Sequence, residues 1–159
     1  MKNVTSGRVT EVIDHQTGEI IQTETVQTFQ IENEPPYFKV YIKDVCRLQE
    51  LNGRDTPDIL YRICAMMGFK NMFLAYKPVK QAIADEIGCT VKHVENVIIK
   101  LKKKGILVPV DRAVYVLDPE LFGKGKWKDI RDLRLNIEYK EDGTKQLSSS
   151  YGTQLKLEL

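Results

Sequence analysis

Two short helical patterns that meet at a glycine dominate the middle of the chain. Val79, Ile83 and Ile87 recur every four residues and therefore lie on one face of a helix. Pro78 stands in the first turn, where its missing N–H costs nothing, and Gly88 follows the last apolar residue of the pattern. The pattern predicts a helix that begins near Pro78 and ends at Gly88.

A second helix is predicted directly after this glycine. Thr90 is a suitable N-cap, because its hydroxyl can accept a hydrogen bond from an N–H of the first turn. From Thr90 onwards, apolar residues follow the i, i+3, i+4, i+7 spacing of a buried stripe, namely Val94, Val97, Ile98 and Leu101. The residues predicted to face away from this stripe are Lys92, His93, Glu95, Asn96, Ile99, Lys100 and Lys103.

The two helices are followed by a predicted β-hairpin. Gly105 ends the second helix, and the apolar strands Ile106 to Val110 and Ala113 to Leu117 flank a turn. The order of two helices, a tight turn and a hairpin predicts an α+β fold, specifically a winged helix-turn-helix with an N-terminal β-hairpin.

Two helices and a strand are predicted before this pair. The first helix has about three turns, with Val45, Leu48 and Leu51 pointing inward. The second begins with Thr56 as its N-cap. Residues 72–76 form a short apolar segment in a position where a strand would pair with the hairpin, although a helix is the alternative. The first hairpin strand carries Pro109, which cannot donate a ladder hydrogen bond, so this strand is expected at a sheet edge or with its N–H side free.

The N-terminal segment is predicted to be a hairpin arm. Strands 4–13 and 19–29 flank a turn in which Gly18 can adopt positive φ. The arm could pack on the body, pair with a second protomer or remain mobile; packing or pairing is favoured because an isolated hairpin is marginal in water. The predicted domains are an arm and linker over 1–36, a winged helix-turn-helix domain over 37–135, and a strand or disordered tail over 136–159.

The net charge of +2 conceals a localised excess of positive charge. Residues 77–128 carry 11 Lys and Arg against 6 Asp and Glu, a net charge of +5, whereas residues 1–76 have −2 (8 against 10) and residues 129–159 have −1 (5 against 6). A localised basic patch is typical of proteins that bind a polyanion.

Candidate DNA-binding residues follow from this charge and from the outward helix face. Thr90, Lys92, His93 and Asn96 lie in the half of the second helix suited to groove contacts, since cationic donors fit guanine and an amide fits adenine. Cations at the end of the helix and in the hairpin turn suit phosphates, and these are Lys100, Lys102, Lys103 and Arg112. The alternative is a solvated face whose cations favour the helix dipole; the order of elements favours DNA.

Other chemistries are disfavoured. Three scattered cysteines, interpreted as core residues, and two isolated histidines give no disulfide framework or metal-ligand spacing. The run around Gly123 and Lys126 lacks phosphate-loop spacing, and no paired histidines support a tyrosine nucleophile. No catalytic residue, cofactor or metal is predicted, so the protein is not expected to be an enzyme. No apolar run approaches the ~20 residues of a membrane span, so a cytoplasmic protein without a membrane partner is expected.

The segment after the hairpin allows two interpretations. Lys124, Lys126 and Lys128 around Trp127 could form a stacking and phosphate platform for single-stranded DNA. Alternatively, the glycines form a corner in which Trp127 and Phe122 fill the core, and this second interpretation is favoured.

Three segments together resemble one protein family. The basic helix, the run DRAVYVLDPELFGKGKW and the hairpin motif VIDHQTGEI are similar to RepL plasmid replication initiators of Gram-positive bacteria, over about residues 8–135. The resemblance implies a winged-helix protein that initiates plasmid replication by recognising its origin in double-stranded DNA, with host replication proteins as further partners and a homodimer left open. The rival hypotheses are a transcriptional repressor and a protein-assembly module. Val91 and Ile99 are unusual on a DNA-contacting face and could bury against another element or a second protomer.

Overall fold

The computed structural model describes residues 3–30 and 35–158, with side chains described for 7–26 and 35–158. Contacts divide the chain into two compact units, 1–36 and 37–159. The predicted linker after the arm lies largely outside the described residues, because 31–34 are not described.

The first unit is an antiparallel hairpin of β1 (Asn3–Ile13) and β2 (Ile20–Gln30). Its turn is closed by the Gly18 N–H, which donates to the Asp14 carbonyl oxygen at 2.8 Å, and Gly18 adopts φ +75°. Only glycine takes this conformation without a steric cost. The predicted hairpin and the role of its glycine are confirmed.

The second unit begins with short elements rather than the predicted three-turn helix. A 3-10 turn at Ile42–Asp44 precedes α1 (Cys46–Gln49), so Leu51, which is buried, lies beyond the helix. The inward position predicted for Val45 is wrong: it is 37% exposed, because it caps α1 instead of lying on the buried face of a longer helix. The next helix, α2 (Thr56–Ala65), starts one residue earlier than predicted. Its N-cap is Asp55, in the left-handed region at φ 61°, while Thr56 is the first helical residue and is buried. The predicted Thr56 N-cap is therefore wrong, because the chain turns at Asp55 and directs the Thr56 side chain inward.

The centre of this unit combines two helices with a three-stranded sheet. The elements are β4 (Met72–Leu74), α3 (Lys77–Ile87), α4 (Val91–Lys103), β5 (Leu107–Asp111) and β6 (Val114–Leu117). The two helices pack on one another, and the sheet has the order β4-β6-β5, all antiparallel. Pro109 lies in the edge strand β5, as predicted, and β4 pairs with the β5–β6 hairpin, as predicted.

The C-terminal part of the chain is more ordered than the sequence predicted. After the β5–β6 hairpin, strand β7 (Phe122–Gly123) pairs with β3 (Lys39–Val40). The elements that follow are α5 (Trp127–Leu135), the paired strands β8 (Ile137–Tyr139) and β9 (Lys145–Leu147), and α6 (Ser149–Leu157). The weak strand or disordered tail expected from residue 136 onwards is thus two paired strands and a helix over the described residues. Leu147 and Leu155 explain the order, because they bury against Val108 and Val116 of the central sheet.

A main core and a smaller one hold the second unit together. The main core lies between α2, α3, α4 and the sheet, and the smaller one lies between the sheet, α5 and the C-terminal elements. Of the cysteines interpreted as core residues, Cys64 is buried, and burial raises its pKa to about 12; Cys89 is partly buried and Cys46 is exposed. The expectation for Cys46 is therefore wrong. The α+β class is confirmed, and no helix in the described residues is long and apolar enough to cross a membrane.

Asp118, directly after β6, is a buried charge with several partners. Its carboxylate accepts hydrogen bonds from the Lys145 ammonium and, at 2.8 Å, from the Arg47 guanidinium. The Asp118 side chain has no exposed surface and that of Lys145 is 3% exposed. A buried charge is tolerated only when it is paired, so this cluster ties α1 and β9 to the end of the hairpin.

We expect Asp118→Ala to lower the free energy of unfolding by about 3–5 kcal/mol, because it leaves the Lys145 ammonium buried without a counter-charge. Urea denaturation measures this. The matched control is Glu86→Ala, which removes the partner of Arg62 from a largely exposed ion pair at 2.7 Å and should cost less than about 1 kcal/mol. Equal losses for both variants would contradict the role given to Asp118.

Candidate nucleic-acid interface

The connection between α3 and α4 sets the direction in which α4 emerges. Gly88 ends α3 in the left-handed region at φ 77°, and the N–H groups of Gly88 and Cys89 both donate to the Ala84 carbonyl oxygen at 2.9 Å. Thr90 then caps α4, its hydroxyl oxygen accepting from the His93 N–H at 3.2 Å. The predicted turn and N-cap are confirmed, and both depend on residues within a few positions of each other.

The apolar stripe of α4 lies in the main core, as predicted. Val94, Val97, Ile98 and Leu101 are all buried. On the opposite side, exposed residues follow one another at i, i+4, i+7 and i+11, a spacing that keeps them on one face. This exposed face, called here the outer face of α4, consists of Lys92, Asn96, Ile99 and Lys103.

One edge of the outer face is engaged by the loop before α2. The His93 Nε2 atom lies 3.2 Å from the Arg54 carbonyl oxygen and 3.6 Å from the Asp55 carboxylate. Lys100 lies two helical turns after His93 on the same edge of α4 and is half-buried beside Gly53. His93 and Lys100 are both predicted DNA contacts, and the structure gives each of them a neighbour within the chain.

The other edge of the outer face carries an ion pair. The Lys80 ammonium of α3 donates to the Glu95 carboxylate at 2.6 Å, and this hydrogen bond holds the pKa of Glu95 below its usual value. Lys92, Glu95 and Ile99 line a shallow groove together with hairpin residues, among them Tyr115. Sequence reasoning missed Lys80, since no local pattern links residues 15 positions apart.

The two apolar residues that seemed out of place differ in their surroundings. Val91 is partly buried against the main core, which accounts for it. Ile99 is 51% exposed, between Asn96 and Lys103 on the outer face. The second unit therefore does not bury Ile99.

The remaining candidate cations are exposed. Lys102 and Lys103 end α4, and Lys104 is its C-cap. Arg112 stands at the hairpin tip, where its N–H donates to the Asp111 carboxylate at 2.7 Å and steadies the turn. None of these four cationic side chains has an ion-pair partner among the described residues. They provide positive charge that is not neutralised within the described part of the protein.

Comparison with known protein families gives one match. A model of the Firmicute plasmid replication protein (RepL) family matches residues 1–156. The chain belongs to the RepL family. This confirms the resemblance found over about residues 8–135 and extends it to most of the C-terminal segment. Searches of the curated proteins and of the solved structures gave no match. The family assigns this RepL chain a role in plasmid replication.

We expect Thr90→Ala to destabilise the RepL chain by about 1 kcal/mol, because the first turn of α4 loses the acceptor for the His93 N–H. Thermal or urea unfolding measures the loss. Thr90→Ser is the matched control, since serine retains the hydroxyl and should be nearly neutral. If both substitutions have the same effect, the lost methyl group and not the cap is responsible.

Proposed function

We propose that residues 72–117 form a winged helix-turn-helix that binds a specific site in double-stranded DNA at the plasmid origin, and that this binding initiates replication. The outer face of α4 is the observation that carries the proposal. It presents two lysines and an amide on one helix, while the opposite face of that helix is anchored in the core.

The dimensions of α4 suit a major groove. A helix with its side chains is about 10–12 Å across, and the major groove of B-DNA is about 12 Å wide. Lys92 offers donors to the guanine O6 and N7 atoms, and the Asn96 amide matches adenine N6 and N7. Ile99, adjacent on the same face, offers an apolar surface of the kind that contacts the thymine methyl group.

The charges around α4 support phosphate contacts on either side of the groove. Lys102 and Lys103 are exposed at one end of the helix, and Arg112 is exposed at the hairpin tip. Glu95 would repel a phosphate, but its charge is offset by the Lys80 ammonium at 2.6 Å. Thus the one carboxylate of α4 does not cancel the positive potential that attracts DNA.

Replication as the purpose of binding rests on the family and not on the geometry. A repressor on the same scaffold would present the same helix, and a protein-assembly module would not require the uncompensated cations. We further propose that the protein acts without catalysis, by recruiting host replication proteins to the site it occupies. Its contribution is then the position of the complex on the plasmid.

We expect duplex affinity to fall steeply with salt. We also expect variants of α4 to separate into those that lose a base contact and those that lose a phosphate contact. Asn96→Ala should weaken the selected site by about 1–3 kcal/mol and leave scrambled duplex unaffected, since it removes a base contact. Lys102→Ala should weaken both duplexes alike and lower the salt slope by about 1, since it removes a phosphate contact. The site is obtained by selection from a random duplex library, and affinities are measured by fluorescence anisotropy across a salt series.

The matched control for these variants is Lys140→Ala, an exposed lysine between β8 and β9. It should change neither affinity. Salt-independent binding, or an equal loss of specificity for Asn96→Ala and Lys102→Ala, would refute the assignment of the outer face.

We expect a plasmid whose only origin is this gene with its flanking DNA to replicate in a Gram-positive host. Lys92→Glu combined with Asn96→Ala should abolish maintenance, because the new charge repels phosphate and the amide contact is lost. Both residues are exposed, so the variant should unfold at the same urea concentration as the parent. Normal copy number with a folded, non-binding variant would show that the protein is not the initiator and would favour the repressor.

A further inference from the structure

The start of α5 presents a tryptophan that the core does not absorb. Phe122 is buried at 3% exposure, as the favoured interpretation required, but Trp127 is 50% exposed. That interpretation is therefore wrong for Trp127. We propose that Trp127, with Lys126 and Lys128, is a stacking site for an unpaired base of single-stranded DNA, a function separate from the duplex binding proposed for α4.

The open side of the indole follows from its contacts. The Arg134 guanidinium carbon lies 4.9 Å from the centre of the Trp127 ring and 4.5 Å from that of Tyr41, while the two ring centres are 6.1 Å apart. Because Arg134 and Tyr41 are so close to each other, both contact the indole from the same side. The proposed base stacks on the part of the indole that these two side chains leave uncovered, since Trp127 is 50% exposed.

The two side chains that contact the indole, Arg134 and Tyr41, are themselves held by other contacts. The Arg134 Nε–H donates to the Pro119 carbonyl oxygen at 2.8 Å, and its guanidinium lies 3.7 Å from the Glu120 carboxylate. Tyr41 is packed against Gly123: a Cβ on that glycine would lie 2.5 Å from the Tyr41 hydroxyl oxygen. Because its neighbours are fixed, the Trp127 ring loses little conformational freedom when a base stacks on it.

Of the three lysines in residues 124–128, Lys124 is hydrogen-bonded within the fold, whereas Lys126 and Lys128 are exposed. The Lys124 ammonium donates to the Met67 carbonyl oxygen at 2.6 Å, and its backbone N–H donates to the Asn71 side-chain oxygen at 2.9 Å. Lys124 therefore belongs to the fold. Lys126 and Lys128 flank the indole in sequence, are exposed and have no ion-pair partner among the described residues. Positive charge beside an exposed aromatic ring is the usual arrangement for binding single strands.

The test uses the full-length chain and a fluorescein-labelled (dT)15 strand, read by anisotropy at low salt. Trp127→Ala should weaken binding by about 5- to 150-fold, the range expected for loss of one stacked base. Trp127 is the single tryptophan of the chain, so its fluorescence should also be quenched when unlabelled (dT)15 binds to the parent protein. Trp127→Phe, which retains a ring, should retain part of the affinity and verifies that the corner still folds.

Two controls separate stacking from charge. An abasic strand of the same length carries the phosphates without the bases, so the parent should bind it as weakly as Trp127→Ala binds (dT)15, without quenching. Phe69→Ala removes another exposed aromatic side chain, beside a lysine that is paired with Glu158, and should have no effect. Equal binding of parent and Trp127→Ala, or equal quenching by the abasic strand, would overturn the proposal.

Further arms distinguish the type of nucleic acid. Trp127→Ala should leave affinity for the selected duplex unchanged, and an equal loss on duplex would overturn the single-strand assignment. Stronger binding of (dT)15 than of a (rU)15 strand supports DNA, whereas the reverse order would assign the site to RNA instead. Failure here leaves duplex recognition by α4 untouched, because that proposal is tested on duplex DNA with variants of α4.

Discussion

The buried carboxylate of Asp118 is the constraint on which the second unit depends. It receives the ammonium of Lys145 and the guanidinium of Arg47, and its backbone N–H donates to Ile106 at the start of the hairpin. Three segments that are far apart in the chain must therefore meet at one point before the charge is satisfied. Because an unpaired charge in this position would be costly, the cluster favours one arrangement of α1, the hairpin and the C-terminal strands over the alternatives.

Asn71 has a similar role for the neighbouring corner without carrying a charge. Its amide group donates to the Leu117 and Phe122 carbonyl oxygens, and its side-chain oxygen accepts from the Lys124 N–H. The run that carries the family resemblance, FGKGKW, is thus attached to the end of the hairpin sheet by one buried side chain. This explains how the segment can hold Phe122 in the core and still present Trp127 at the surface. Structure and binding are assigned to different residues of the same short motif.

The proposed DNA-binding surface is the face of α4 that stays exposed when its other faces pack against, or pair with, neighbouring elements. One face of α4 is buried in the main core. On its edges, His93 lies against the Arg54 carbonyl oxygen and Glu95 pairs with Lys80. The residues left exposed include the lysines and the amide that duplex recognition requires. The RepL family provides the biological setting, plasmid replication. Duplex recognition by α4 and stacking on Trp127 would together suit a protein that locates an origin and holds a melted strand.

The sequence by itself determined those parts of the structure that depend on near neighbours. Gly88, the Thr90 cap, the buried stripe of α4 and the edge position of Pro109 were all predicted correctly, because periodicity, capping and backbone conformation involve residues only a few positions apart. Tertiary structure alone decided the burial of Asp118, the Lys80–Glu95 pair, the order of the C-terminal segment and the exposure of Trp127. The type of a residue does not by itself show whether its side chain is buried, paired or exposed. That environment depends on partners that are distant in the sequence and that only folding brings close.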